Sequence, residues 1–351
     1  MRDAAIYIET GRYESLKKEN SRSTIMEQIL WDLIPWGYQV LLSVEGMWNA
    51  FLDSVFPVLT DFGSELGYIV ILSLVYWCVN KSVGQGLAFA YLYTSVLNSW
   101  IKLFYRIPRP DDPAVEALLD KVNISERLDP IRYETSHSFL SGHSQGAVVV
   151  WGYLAYHIKK TWFRILALII ILMIGFSRMY VGVHFTQDVI GGFIVGVIYL
   201  ILWILAEPKA RVWLADQRVI MRCALAVLVP LVVWLVNPSE ATATPMGAAL
   251  GLGVGYVLEL QTVWFSVSGS IWRRILRGAV GLVVILVSYF GLVFFFGTFD
   301  ESMGETMGTI WRLVRYAIIG FGGGWFLPWL FVKTCLAESE LNNQDFPIWN
   351  M

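Results

Sequence analysis

The chain has 351 residues, of which 56% are hydrophobic and 15% charged, and its mean hydropathy is +0.57. Soluble globular domains are about a quarter charged, so this composition argues against a soluble enzyme and indicates a membrane protein. The formal net charge of -2 lacks the strongly basic balance that nucleic-acid binding requires, so we expect no nucleic-acid partner.

The chain begins with a polar segment and continues with ten apolar stretches. The first two dozen residues, of mixed charge, predict a cytoplasmic or interfacial arm over 1–36 and not a signal peptide. The length of each apolar stretch is close to the roughly 20 residues that a helix needs to cross about 30 Å of hydrocarbon. Glu45 and Asp53 interrupt the first one, which is therefore predicted either to span or to lie tilted. The predicted helices are at 37–59, 64–80, 85–105, 143–158, 162–181, 185–206, 218–236, 244–261, 275–298 and 307–333.

Two polar segments divide these stretches. The longer one, from 107 to about 140, has a length that is typical of functional or disordered loops. The other, a basic segment near 207–222, separates six apolar stretches from four. We therefore predict an all-α polytopic membrane helix bundle. Its parts are a six-helix core at 37–206, a four-helix C-terminal extension at 207–335 and a polar cytoplasmic tail at 336–351.

The charge of the short loops predicts the orientation of this bundle. Loops rich in Lys and Arg stay in the cytoplasm, and with ten spans one side collects the basic loops around Lys81, Lys159, Arg211 and Arg273. We therefore expect both termini in the cytoplasm. The membrane is expected to be the cell (inner) membrane. The polar motifs described next are expected on the exterior or periplasmic side.

The first motif lies where the third apolar stretch ends. Lys102 closes that stretch, and Arg109 follows on a turn stiffened by Pro108 and Pro110. Both cations can reach one anion, and Arg grips phosphate oxygens in pairs. Cations that snorkel from a helix end would give the same pattern.

The second motif is Ser141-Gly142-His143, which opens the next helix. Ser is a good N-cap, Gly lets the backbone approach a ligand, and a helix N-terminus presents unpaired N–H groups to an anion. His143 would then lie beside that anion. A capped helix start with an incidental histidine is the alternative.

The third motif runs from Ser177 and Arg178 to His184 and Asp188. The last two are four residues apart and so are predicted on one helix face, where the carboxylate can accept a hydrogen bond from one ring nitrogen. The tautomer would then leave the other nitrogen as a nucleophile. Such a pair also occurs by chance, but a position at a membrane boundary favours function.

Together the three motifs resemble the signature of the type 2 phosphatidic acid phosphatase (PAP2) superfamily. The family pattern is K-x6-RP, then PSGH, then SR-x5-H-x3-D, and this chain departs from it at Leu140, where the family usually has Pro. The resemblance covers about 40–206. The matching positions are Lys102, Arg109, Pro110, Ser141, Gly142, His143, Ser177, Arg178, His184 and Asp188.

The resemblance implies a role for each of these residues. His184 would be the nucleophile, oriented by Asp188, and His143 the general acid and base. The phosphate oxygens would be held by Lys102, Arg109, Ser141, Gly142 and Arg178. These cations would stand where other phosphoryl-transfer enzymes use Mg²⁺, so no metal and no cofactor is expected. The cysteines, Cys78, Cys223 and Cys335, are too dispersed to predict a metal site.

Several residues outside the motifs have open interpretations. His137, in the long loop, is expected at the surface. Arg312 and Arg315 share one face of the last stretch and are predicted as interfacial anchors or as contacts to a lipid headgroup. Glycines at four-residue spacing from Gly247, and a second cluster from Gly320, are typical of close helix packing in lipid; they would equally suit a path for a lipid tail.

The leading functional prediction is a phosphatase that acts on a phosphorylated lipid within the bilayer. Candidate substrates are phosphatidic acid, a long-chain base phosphate, phosphatidylglycerol phosphate and a polyprenyl diphosphate. One alternative is a phosphatase for small sugar phosphates, similar to glucose-6-phosphatase. The other is a lipid transporter or scramblase that retains the PAP2-like core without its reaction. The sequence does not indicate an oligomeric state.

Overall fold

The computed structural model of the protein describes residues 24–110, 112, 115, 136–300 and 305–341. The predicted N-terminal arm up to residue 23, most of the long connection and the tail beyond 341 lie outside these residues. Within the described part there are α-helices and no β-strand, apart from an isolated bridge between Phe265 and Ser339. The prediction of an all-α fold is confirmed.

The helices follow one another in chain order with short connections, except for the long connection between Tyr105 and Gly142. Five-residue π-helical turns extend α4 (Val75–Val79) and join α12 to α13 (Gly322–Phe326). The helices are α1 (Ile25–Asp32), α2 (Ile34–Glu45), α3 (Ala50–Phe62), α4 (Glu65–Leu74), α5 (Lys81–Tyr105), α6 (Gly142–Ile158), α7 (Thr161–Tyr180), α8 (Thr186–Ala215), α9 (Val219–Val236), α10 (Glu240–Thr262), α11 (Ile271–Asp300), α12 (Glu305–Phe321) and α13 (Leu327–Lys333).

The predicted boundaries agree with these helices except in three places. Helix α1 and the start of α2 lie within 1–36, where an arm and no helix was predicted. The stretch at 37–59 is two helices, because Gly46 ends α2 and the Asn49 side chain caps α3 by accepting from the N–H groups of Phe51 and Leu52, at 3.1 and 3.0 Å. The stretch predicted to end at 206 continues as α8 to Ala215. The single-helix prediction for 37–59 was therefore wrong.

Five of the helices in the described residues are long and apolar enough to span a membrane: α7, α8, α9, α10 and most of α11. A sixth span is possible by these criteria, because α3 and α4 pass together with a bend of 59° between them. Helices α6 and α12 have 17 residues each. The predicted count of about ten spans, six plus four, therefore stays a prediction.

The described chain divides into two compact units. The first comprises Met1–Ser64, Trp100–Gly152 and Lys160–Ile198. Here α2 and α3 both pack against α7, and Trp48, in the connection between them, donates from Nε1 to the Tyr180 carbonyl oxygen at 3.2 Å. The Tyr180 hydroxyl donates to Asp53 at 2.7 Å. These bonds hold the C-terminal end of α7, from which the third motif continues.

The second unit comprises Glu65–Ser99, Tyr153–Lys159 and Tyr199–Met351, and its described core includes a close pair, α10 and α12. A Cβ added at Gly247 or Gly251 would overlap backbone atoms of α12, and one added at Gly320 would lie 2.5 Å from the Ala248 carbonyl oxygen. The predicted use of glycines for close helix packing is confirmed for Gly247, Gly251 and Gly320, whereas a Cβ at Gly322 would meet nothing within 4 Å.

Replacing Gly251 with alanine is expected to destabilise the second unit by about 1–3 kcal/mol, the usual cost of overpacking. The added methyl group would overlap the Ala317 carbonyl oxygen, and backbone cannot move aside as a flexible side chain would. Thermal unfolding in detergent measures the effect. The control is Gly291→Ala on α11, where a Cβ meets nothing within 4 Å; equal melting of the two variants would contradict the prediction.

Candidate active site

The third motif folds as a turn between α7 and α8. Helix α7 ends at Tyr180, and Gly182 takes a left-handed φ of 73°, which a residue with a Cβ rarely adopts. The Val183 N–H donates to the Arg178 carbonyl oxygen at 3.2 Å. This turn places His184 two residues before α8 begins, where it is fully buried.

Asp188 holds His184 from the first turn of α8. Its Oδ2 accepts from the Phe185 N–H at 2.8 Å and lies 3.4 Å from Nδ1 of His184. The predicted pairing of the two side chains is present, although His184 lies in the turn and not on a helix face. With Nδ1 directed at a carboxylate, Nε2 is the ring nitrogen left for chemistry.

Ser138 is a third member of this cluster that the sequence analysis missed. Its fully buried hydroxyl donates a short hydrogen bond to Asp188 Oδ2 and lies 3.4 Å from His184 Nδ1. Its backbone N–H donates to the Ile107 carbonyl oxygen at 2.8 Å. Ser138 therefore connects the turn that carries Arg109 with the His184–Asp188 pair.

Two cations from the first motif converge on the same place. Arg109 is buried, and its Nη1 donates to the Val183 carbonyl oxygen at 2.9 Å and lies 3.5 Å from Nε2 of His184. Lys102, also buried, donates to the Ser136 hydroxyl at 3.2 Å. Because Arg109 Nη2 donates to that hydroxyl at 3.0 Å, one oxygen atom bridges both cations.

Ser136 is a second residue that the sequence analysis missed. Besides the hydroxyl contacts, its carbonyl oxygen accepts from Arg109 Nε at 2.5 Å. The hydroxyl thus occupies a position between Lys102 and Arg109 that suits an oxygen of a bound anion. The signal available in the sequence was weak, because Ser136 and Ser138 lie in a polar loop without periodicity.

The second motif begins α6 as predicted. The Ser141 hydroxyl accepts from the Ser144 N–H at 3.3 Å, which is the bond of an N-cap. The Ser141 N–H donates to the Asp188 carbonyl oxygen at 3.0 Å, so the start of α6 is fixed to the start of α8. Gly192 of α8 permits this approach, since a Cβ there would lie 2.7 Å from the Ser141 carbonyl oxygen.

The electrostatic environment of His184 includes charged groups from all three motifs. Burial lowers the pKa of His184 well below its usual value, and the charges of Arg109, Lys102, Arg178 and His143 lower it further, in that order. Arg178 is itself buried. Three cations predicted to bind phosphate and the predicted acid His143 are therefore close enough to lower the pKa of the His184 imidazole.

The neutral form of His184 is expected to persist below pH 6.5, where a free histidine is half protonated. Protonation removes the nucleophile, so the fall of kcat/KM toward acid pH (the acid limb), which reports the free enzyme, should lie at lower pH than for an unperturbed imidazole. Because the substrate phosphate also titrates near pH 6, wild type is compared with Lys102→Gln on the same substrate. Loss of one cation should raise the pKa of His184 and move the limb to higher pH; identical limbs would contradict the prediction.

His137 is half-buried, and its prediction as a surface residue stays a prediction. Burial lowers its pKa, and the charges of Arg106, Lys102 and Arg109 lower it further. His137 is therefore expected to be neutral at pH 7 and to add no charge to the site.

Arg312 and Arg315 lie in the second compact unit and have partners there. Arg312 pairs with Glu240, with Nη2 and Oε2 2.7 Å apart. The buried Arg315 lies over the Tyr316 ring, 5.4 Å from its centroid, and its charge acts on Glu65. A role for the two arginines in binding a headgroup stays a prediction. Among the described residues no cluster of three or more His, Cys, Asp or Glu is suited to a metal ion.

Two family models match the chain. The first, the PAP2 superfamily, matches residues 85–211 and so contains the three motifs. The second, the transmembrane extension of PAP2 superfamily phosphatases, matches residues 243–339. This second match overlaps most of the predicted C-terminal extension at 207–335 and runs on to residue 339.

Three similar proteins are phosphatases by name. Lipid phosphate phosphatase delta of Arabidopsis thaliana is 24% identical over 192 residues, which cover 52% of this chain and 45% of the relative. Phosphatidylglycerophosphatase B of Bacillus subtilis is 39% identical over 82 residues, or 21% of this chain and 40% of the relative. Sphingosine-1-phosphate phosphatase 1 of Mus musculus is 27% identical over 161 residues, or 44% and 35%. The matched region thus covers less than half the length of each relative.

Proposed function

Since this chain belongs to the PAP2 superfamily, we propose that it is a membrane phosphatase that hydrolyses a phosphate monoester or diphosphate of a lipid through a phosphohistidine. The observation that carries the proposal is the setting of His184. Its Nδ1 faces Asp188 at 3.4 Å, while its Nε2 lies 3.5 Å from Arg109. One nitrogen is thus held by a carboxylate and the other is directed to a cation that can bind the substrate.

In the first step, Nε2 of His184 attacks phosphorus, and the bond from phosphorus to the lipid oxygen breaks. The imidazole gains positive charge as the P–N bond forms, and Asp188 stabilises that charge through the Nδ1 proton. Lys102, Arg109 and Arg178 hold the remaining phosphate oxygens, with the Ser141 hydroxyl and the Gly142 N–H. Fixed cations in a buried site stabilise the transferring group without reorganisation during the reaction.

His143 supplies the proton in this step. It donates a proton to the departing lipid alkoxide and so becomes the base for the second step. There it takes a proton from water as the water oxygen attacks phosphorus, the P–N bond breaks, and phosphate leaves. His184 returns to its starting tautomer, and both protons are accounted for.

Replacing His143 with alanine is expected to slow hydrolysis of a lipid monoester by about 10²–10⁴-fold, the usual contribution of general acid–base catalysis. An aryl phosphate needs no proton on its leaving group, so its first step should persist. The variant should then release one equivalent of p-nitrophenol in a stopped-flow burst and accumulate phosphoenzyme. Absence of this burst on the aryl substrate would contradict the role of His143 as the acid of the first step.

A lipid substrate is favoured by the setting of the site. The third motif joins α7 to α8, which both have the length and hydropathy of membrane spans. The three relatives carry lipid-phosphate substrates in their names. Phosphatidic acid, a long-chain base phosphate, phosphatidylglycerol phosphate and a polyprenyl diphosphate fit this description. Because the loops rich in Lys and Arg are expected on the cytoplasmic side, the site is expected on the opposite, exterior or periplasmic side.

The test is phosphate release by the purified full chain in detergent with excess EDTA. The panel contains the four lipid phosphates and a soluble sugar phosphate, and His184→Ala is the control. We expect release from at least one lipid and a much lower kcat/KM for the sugar phosphate. Preference for the sugar phosphate would support the glucose-6-phosphatase-like alternative. Lipid movement across vesicles without phosphate release would support the transporter.

A further inference from the structure

Ser138 makes contacts that no residue of the three motifs reproduces. It is fully buried, its hydroxyl donates to Asp188 Oδ2, and the same oxygen lies 3.4 Å from Nδ1 of His184. A serine hydroxyl has one proton to donate and two lone pairs to accept. With the proton committed to Asp188, the oxygen presents a lone pair to the Nδ1 proton of His184.

We propose that Ser138 is a positioning residue that, with Asp188, fixes His184 as the tautomer protonated on Nδ1. Both neighbours of Nδ1 are then acceptors at equal distance, 3.4 Å. A ring protonated on Nε2 instead would direct the Nδ1 lone pair at two acceptor oxygens in a fully buried place, which is costly. The proposal rests on the proposed function for its kinetic consequence but not for the tautomer itself.

The backbone of Ser138 explains how it can keep this position. Its N–H is bonded to the Ile107 carbonyl oxygen at 2.8 Å, and Ser141 follows three residues later with its own N–H bonded to the Asp188 carbonyl oxygen at 3.0 Å. The segment is therefore anchored to the first motif on one side and to α8 on the other. The hydroxyl is held against Asp188 by these two backbone bonds.

The kinetic test compares Ser138→Ala and Ser138→Cys with wild type. A hydrogen bond to a charged group is worth about 1.5–3 kcal/mol, so we expect kcat of the alanine variant to fall about 10–100-fold with KM changed less than about twofold. Cysteine keeps the volume and is a weak donor, so its kcat should fall between the two. Ser95→Ala, which removes a hydroxyl that donates along α5 to the Tyr91 carbonyl oxygen at 2.9 Å, is the matched control and should retain wild-type kcat. Wild-type kcat in Ser138→Ala, or a loss confined to KM, would overturn the proposal.

A spectroscopic test separates this proposal from the proposed function. In protein labelled with ¹⁵N-histidine, assigned by comparison with His184→Ala, the His184 resonances should report a proton on Nδ1 in wild type and a mixture of tautomers in Ser138→Ala. A change in folding alone would lower the melting temperature without this mixture in the folded protein. If Ser138→Ala melts too early for the spectrum to be recorded, Ser138→Cys replaces it.

An unchanged tautomer overturns the role of Ser138 even if the enzyme is active. Absence of phosphate release in wild type overturns the proposed function and leaves the tautomer result standing.

Discussion

The His184→Ala protein is expected to lose activity on a lipid phosphate by about 10⁴-fold or more, because loss of a nucleophile leaves only the contribution of binding and charge stabilisation. His184 is fully buried beside Asp188, Ser138 and Arg109, so no neighbouring group can replace its Nε2. The measurement is transfer of ³²P from labelled substrate to protein, followed by quenching in alkali. A phosphohistidine survives alkali and is lost in acid.

The control for this experiment is His157→Ala, which removes an exposed imidazole from the C-terminal turn of α6. His157 lies against the Tyr153 and Tyr156 rings, 4.4 and 5.1 Å between centroids, in the second compact unit. The His157→Ala protein should show wild-type phosphate release and wild-type ³²P labelling. Labelling of His184→Ala at the wild-type level would place the nucleophile elsewhere and refute the scheme.

The candidate site could be predicted from the sequence because its residues are chemically costly where they stand. Lys102, Arg109 and Arg178 are buried in the structure, and buried cations persist only where they have partners or a ligand. That cost makes such residues conspicuous against an apolar background. The sequence analysis could name them and expect them at one anion, but the spacing did not give their partners.

The serines of the long connection were missed for the opposite reason. A serine in a polar loop is unremarkable, and no periodicity marks which loop residues turn inward. Only the fold brings Ser136 to Lys102 and Arg109, and Ser138 to Asp188. The spacing of His184 and Asp188 was likewise ambiguous, because four residues suit a helix face and also a turn whose carboxylate caps the following helix.

The membrane spans show a similar division between what the sequence could and could not predict. Helices such as α8 and α9 have the length and hydropathy of membrane spans, and they were predicted within a few residues at their N-terminal ends. The first apolar stretch was misjudged because hydropathy averages over Gly46 and Asn49, which end one helix and cap the next. A cap is a local signal that a window of about 19 residues removes.

Arg109→Ala is expected to lower kcat/KM by about 10³–10⁵-fold, the range known for arginines that stabilise a transferring phosphoryl group. Arg109 combines two tasks. Its Nη1 lies 3.5 Å from the attacking nitrogen and donates to the Val183 carbonyl oxygen at 2.9 Å, while Nε and Nη2 hold Ser136 at 2.5 and 3.0 Å. Removing the guanidinium therefore removes a phosphate ligand and also loosens the turn before His184.

Arg109→Lys separates charge from geometry. Lysine keeps the positive charge but lacks the planar fork of donors, so it should recover less than about a tenth of the lost activity. The matched control is Arg106→Gln, which removes an exposed cation from the same turn; the Arg106 side chain donates to the Leu103 carbonyl oxygen and not to the site. Steady-state kinetics at several salt concentrations measures all three. If Arg106→Gln and Arg109→Ala lost equal activity, the general positive charge of this turn, and not the fork held beside His184, would be what the substrate requires.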